Sequence, residues 1–286
     1  MIHFLALVCL GLFSHVSGAC PRALLQDATA AYVNAQTSGL PHLLFTPNST
    51  FNYTYAENSL PVPLASSILA TTLHIDIHRS LHDTFSCATF TELTAASNKH
   101  PYVIHTRMLF SSTGMDTGEG QVEGEKLVMQ SMESVVTDEG DWVFNATGHL
   151  YWNSIEKWDA IPLNKRDSRT VIQAAADAYL DSWGDSSIKV PYGSPCARLE
   201  GGAYTGSKNT TTNTCRMPLF PLPFKITNRR YVVDEEVGAV DVFDDFPFID
   251  KIRPEGTPSS NLVRVEGGGI RYVHELTVCA TKGCGR

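Results

Sequence analysis

At 286 residues, with 43% hydrophobic residues, the chain can bury one or two sizeable cores. Its formal net charge of −8 argues against a nucleic-acid partner, because phosphate binding needs a basic face and Lys165-Arg166 and Arg229-Arg230 are too short to make one.

The N-terminal stretch from Met1 to Ala19 carries an apolar run, Phe4 to Phe13, followed by the small residues Ser17-Gly18-Ala19. This reads as a secretory signal whose apolar part is too short to span a bilayer. No long apolar run follows it, so no membrane span is expected in the mature chain. Removing Cys9 with the signal leaves Cys20, Cys87, Cys196, Cys215, Cys279 and Cys284, an even set suited to an oxidising compartment. Spacing does not fix their pairing; bridges that close short or repeat-internal loops would join Cys20 to Cys87, Cys196 to Cys215 and Cys279 to Cys284. Asn-x-Ser/Thr triplets at Asn48, Asn52, Asn145 and Asn209 predict glycans on exposed loops. Secretion, or retention in the secretory lumen, follows from the three features together.

Residues 22–37 have helical spacing, with Pro21 suited to the first turn and Gly39-Leu-Pro41 as the stop. Thr50 to Ala56 alternates like a half-buried strand, and Leu64 to Leu73 fits either a short helix or an extended crossing. Strands are expected at Thr84–Thr94, Tyr102–Phe110 and Lys126–Val136, then an aromatic-rich one at Trp142–Trp152, before a linker over 156–167. A second helix is expected over 170–184. Its stripe Val171, Ile172, Ala175, Ala176, Tyr179, Leu180 and Trp183, moved back by one constant interval, falls on Leu24, Leu25, Ala28, Thr29, Tyr32, Val33 and Gln36. Strands follow this helix too, at Ala197–Tyr204, Arg229–Glu236, Ala239–Phe246, Leu262–Glu266 and Ile270–Ala280. The chain therefore reads as an α+β protein of two tandem cone-like units, 20–155 and 168–286, each a long helix packed on a curved antiparallel sheet.

Several segments resemble a family of secreted fungal proteins with a tandem ketosteroid-isomerase-like (nuclear-transport-factor-two-like) fold. They are Cys196-Ala-Arg-Leu-Glu-Gly-Gly-Ala-Tyr204, Asn228 to Glu236, Arg264 to His274, His100 to Ile104 and Gly140 to Thr147. Members of that family include nonadride-forming cyclases, which dimerise maleic-anhydride monomers without a metal or redox cofactor. The resemblance implies a cofactor-free cyclase or lyase of secondary metabolism, whose partner is a small acid or anhydride. The alternative is a non-catalytic secreted protein that binds a small molecule. Cone folds commonly pair through their sheets, which implies a homodimer.

Proton-moving chemistry in such a cone needs a base near a carbon acid and a donor for the developing enolate oxygen. Aligning Gly124 with Gly268 sets Val128, Gln130 and Met132 opposite Tyr272, His274 and Leu276, which places His274 mid-strand on an interior face as the first base candidate. Arg198 and Glu200 share a strand face as guanidinium and second base, or as a structural ion pair. His105 and Arg107 share another face, and an arginine there suits a carboxylate or anhydride oxygen; Arg230 is its alternate, and Tyr151 a further donor. His74, His78 and His82 fall at a helical metal-ligand spacing, yet the alternation of Leu73 to His78 favours a strand with a polar exterior, and no metal is expected.

Overall fold

The computed structural model describes residues 20–44, 54–116, 122–217 and 223–284, so the signal segment and the sequons Asn48 and Asn52 lie outside the described residues. The first unit begins with α1 (Arg22–Ser38), which ends where Gly39 turns into the left-handed region at φ 66 and its N–H returns to the last-turn carbonyls. A side chain at Gly39 would meet the Thr72 backbone nitrogen at 2.7 Å, so glycine is required twice over. Two short 3₁₀ turns occupy 64–70, and the strands are β1 (Thr54–Glu57), β2 (Leu60–Pro61), β3 (Ile77–Asp83), β4 (Ala88–Ala95), β5 (Tyr102–Asp116) and β6 (Val122–Thr137). The second unit has α3 (Arg169–Ser182), β7 (Tyr192–Glu200), β8 (Ala203–Tyr204), β9 (Thr227–Asp234), β10 (Ala239–Phe246), β11 (Thr257–Glu266) and β12 (Gly269–Thr277).

The two sheets have the same order, β2-β1-β6-β5-β4-β3 and β8-β7-β12-β11-β10-β9. All pairings are antiparallel except β1 with β6 and β7 with β12, which are parallel. The repeat read from the helices holds, since the interval that carries Leu25, Thr29, Tyr32 and Gln36 to Ile172, Ala176, Tyr179 and Trp183 joins buried positions throughout. Strand register sets a different interval for the last strand. Glu57 pairs with Leu60 and Ser134, as Glu200 pairs with Ala203 and Glu275. Glu133, and not Gln130, is therefore the counterpart of His274.

Each helix covers one face of its own sheet. Leu25 and Tyr32 of α1 pack with Leu93, Ile104 and Met132 of the first sheet, and Ile172 and Tyr179 of α3 with Val240, Val263 and Val273 of the second. The opposite faces pack on each other. Leu81, Phe90, Val103 and Val135 of the first sheet meet Val232, Phe243, Leu262 and Leu276 of the second in a shared apolar core. The face through which cone folds pair is thus filled within one chain, and the expectation of a homodimer through that face loses its basis.

The stretch expected as an aromatic strand is instead a helix, α2 (Ala146–Ile155). Asn145 caps it by accepting from the Gly148 N–H at 2.9 Å, and its buried residues Ala146, His149 and Asn153 recur at helical, not alternating, positions. Aromatic richness was the misleading signal: Trp152 stacks from the helix on Tyr204 of β8, with centroids 4.5 Å apart. The linker over 156–167 is also partly structural, since Ile161 N–H donates to Glu236 O and Glu156 is drawn into the core between the sheets.

Disulfides join Cys20 to Cys87, Cys196 to Cys215 and Cys279 to Cys284. They suit an oxidising compartment. Asn145 and Asn209 are exposed. Among the described residues no helix is long and apolar enough to cross a membrane.

Candidate functional site

Beneath α3 the floor of the second sheet carries a continuous polar chain. Arg198 and Glu200 on β7 form an ion pair, and Glu200 lies in register with Glu275 on β12. Thr277 donates to Glu275 Oε1 at 3.1 Å and its hydroxyl lies 3.0 Å from that of Ser259. Asn261 Nδ2 then donates to Ser259 Oγ at 3.4 Å and to Asp244 Oδ2 at 2.9 Å. Period-two alternation produces this row, because Asp244, Ser259 and Thr277 are register partners across β10, β11 and β12. Tyr179 of α3 is fully buried over the same face, and its hydroxyl donates to Met217 Sδ at 3.7 Å.

Burial decides the electrostatics of this cup. It pushes Glu275 up to about 8, with the Glu200 charge adding to the shift and Arg198 opposing it. Asp244 is likewise pushed up to about 7 by burial, against the hydrogen bond from Asn261. The Tyr179 hydroxyl is pushed up by burial while the Arg198 charge pulls it down. Arg198 Nε, Glu275 Oε2, Asp244 Oδ1 and Asn261 Oδ1 are buried without a hydrogen-bond partner among the described residues. Buried groups of this kind normally find partners, so four orphans on one face mark a place built to meet something else. Two carboxyls that change protonation near neutrality, beside a guanidinium and a phenol, can take up a proton and steady a new oxyanion.

A stability signature follows from Asp244. Its folded value of about 7 lies above the ordinary 3.8, so the fold favours the neutral form. That contribution is complete below about pH 4 and is lost as pH rises through 7. Asp244→Asn is expected to leave stability at pH 4 unchanged and to raise it at pH 8 by up to roughly 4 kcal/mol, with denaturant unfolding at the two pH values as the measurement.

The first unit fills the corresponding space differently. Tyr32 matches Tyr179, but Tyr55 stands in the place of Arg198, and its hydroxyl donates to Glu57 Oε1 at 2.7 Å. Thr106 and Ser134 replace Asn261 and Glu275, bonded in a short chain with Tyr32 at 2.7 and 2.8 Å. Leu93, Ile104 and Val136 replace Asp244, Ser259 and Thr277, as the matching registers show. The floor residues that pair two carboxyls in the second cup thus have no acidic counterparts in the first.

The residues expected from sequence divide between this cup and the core between the sheets. Arg198 and Glu200 meet in the cup. His274 shares its face with Tyr272 and Leu276 as expected, but that face turns away from α3 toward the other sheet. Its ring is fully buried, 2.7 Å from Glu92 Oε1 and 2.7 Å from Glu156 Oε2. Burial lowers its pKa, yet the two carboxylates outweigh it and push the ring up to about 9. His105 lies in the same layer, 3.3 Å from Glu92 Oε1. Arg107 and Arg230 also lie between the sheets, where both bind Glu133 at 3.1 and 2.9 Å. Tyr151 is 58% exposed on α2, edge-on to Trp152, and joins neither group. His74 and His78 are exposed and His82 is buried, so this trio forms no cluster.

Sequence reading missed Tyr179, Asp244 and Glu275 in the cup, and Glu92, His149 and Glu156 between the sheets. A signal existed for Glu92, the one charged residue of Ala88–Ala95, whereas Asp244 stands beside Asp241 and Asp245 and Glu275 beside Arg271 and His274, so neither stood out. His149 carried none once its segment had been read as a strand.

A domain of unknown function (DUF8021) matches residues 165–277. The match runs from just before α3 to the last residue of β12, which is the unit that carries the cup. No curated protein and no solved structure matches the chain.

Proposed function

We propose that the cup of the second unit is an acid–base site for a small, oxygen-rich acid or anhydride, and that the chain is a secreted enzyme working through an enolate. The observation that carries this reading is the pair of buried carboxyls, Glu275 and Asp244, held near neutrality on one hydrogen-bonded chain beside Arg198 and Tyr179. The ionised fraction of Glu275 takes a carbon-bound proton of the substrate, the electron pair moves onto the neighbouring carbonyl oxygen, and Arg198 and Tyr179 supply the cation and hydrogen bond that this oxygen needs. The proton that Glu275 has taken returns to the product from the same carboxyl. These steps draw on side chains alone.

The narrower reading comes from the resemblance to nonadride-forming cyclases: an alkylated maleic anhydride loses a proton, or its acid form loses carbon dioxide, and the resulting carbon nucleophile adds to a second monomer. Three disulfides support action in an oxidising compartment. The test is to incubate the purified chain with alkylated maleic anhydrides and their diacids in D₂O, following deuterium uptake at carbon by NMR and dimer by mass spectrometry. Exchange faster than buffer alone supports the acid–base site, and a dimer supports the cyclase. Tight binding without exchange would leave a small-molecule carrier instead.

A further inference from the structure

We infer that Glu92, His149 and His274, with His105 beside them, form a binding centre for a zinc-like divalent ion at the junction of the two units. This site is separate from the cup, on the opposite face of the second sheet. Four elements build it: Glu92 comes from β4, His105 from β5, His149 from α2 and His274 from β12. All four side chains are at most 1% exposed.

Three imidazole nitrogens converge on a single carboxylate oxygen. Glu92 Oε1 lies 2.7 Å from His274 Nδ1, 3.3 Å from His105 Nε2 and 3.5 Å from His149 Nε2. The ligand atoms of Glu92, His149 and His274 all fall within 4.8 Å of one another. Tetrahedral zinc with bonds of about 2.0–2.1 Å sets its ligands roughly 3.3–3.4 Å apart, so small side-chain shifts would close the shell.

Each ring is also held from behind, as metal-bound histidines are. His274 Nε2 meets Glu156 Oε2 at 2.7 Å, His149 Nδ1 meets Thr94 Oγ1 at 3.0 Å, and His105 Nδ1 meets Ser260 Oγ at 2.8 Å. The Ser260 hydroxyl in turn lies 2.8 Å from Asp241 Oδ1. His149 Nε2 marks the open position: it is buried, 3.5 Å from Glu92 Oε1, and has no hydrogen-bond partner among the described residues. The other oxygen of Glu92 is occupied by Arg79 at 2.5 Å and Asn153 at 2.8 Å, which leaves Oε1 as the oxygen that faces the three imidazoles. Imidazoles with one carboxylate favour zinc and its first-row neighbours over calcium or magnesium.

The experiment uses the full chain secreted with zinc or cobalt in the medium, because a buried site fills as the chain folds. One equivalent of zinc by elemental analysis is expected, and the cobalt-grown protein should show the intense visible bands of tetrahedral Co²⁺. Thr94→Val, which keeps the core volume, should weaken metal retention against a chelator about 10–100-fold, the usual effect of losing a partner behind the ligand. His149→Gln should abolish the cobalt spectrum, whereas exposed His78→Ala should not. Folded wild type with no stoichiometric metal and no cobalt bands would overturn the inference and leave an imidazolium of His274 shared by Glu92 and Glu156. Unchanged cobalt bands in folded His149→Gln would overturn it as well.

Discussion

Glu275→Gln is expected to lower turnover of an enolisable substrate about 10²–10⁴-fold, the usual contribution of one general base, with little change in melting temperature. The fold should tolerate the change because Gln is close in shape to the neutral carboxyl that burial already favours, and its carbonyl can still accept from Thr277. The loss should be in kcat more than in KM, since the proton is transferred only on the way to the transition state. Tyr179→Phe should cost less, as it removes one donor and leaves Arg198. His274→Gln gives the opposite pattern: it leaves Glu92 and Glu156 buried without their shared partner, so melting temperature should fall while any turnover by folded protein persists. If Glu275→Gln kept full turnover on a substrate the wild type converts, the base assignment would be lost.

The architecture was legible because duplication writes the same pattern twice. The apolar stripe of α1 reappears in α3, and glycine stops follow both helices, so helix, sheet and order could be read without knowing a single contact. The disulfides were legible for a different reason, since Cys20–Cys87 and Cys196–Cys215 each close a loop inside one unit. Which face held the chemistry was not. Period-two alternation says that Tyr272, His274 and Leu276 share a face, and that Val273, Glu275 and Thr277 share the other. Where one face is buried under a helix and the other under a second sheet, both look like core in the sequence. His274 drew attention as an imidazole, while the acid next to it, which points into the cup, passed unnoticed. Glu156 was hidden differently, because a residue in an irregular connecting stretch gives no local hint that it reaches into the core.

Asp234→Ala is expected to cost about 3–5 kcal/mol of stability, because it strips the partner from several buried donors at once. The carboxylate binds both terminal nitrogens of Arg22, at 2.9 and 2.8 Å, and accepts from the backbone N–H of His82 at 2.9 Å. It also accepts from the N–H of Glu236 at 3.0 Å, so one side chain fixes the start of α1, the end of β3 and the turn after β9. Asp83 does the same in mirror fashion: it binds Arg169 at the start of α3, at 2.7 and 2.8 Å, and accepts from Val233 N–H at 2.9 Å. Each unit thus lends an arginine to the aspartate of the other, the reciprocity that a two-fold interface imposes on identical subunits. Asp83→Ala should then cost a similar amount, whereas Arg22→Ala should cost less, since that side chain is a quarter exposed and the backbone donors keep their carboxylate. Urea unfolding of the three variants gives the comparison. A loss below about 1 kcal/mol for both aspartates would mean that the apolar core between the sheets, and not these clasps, holds the units together.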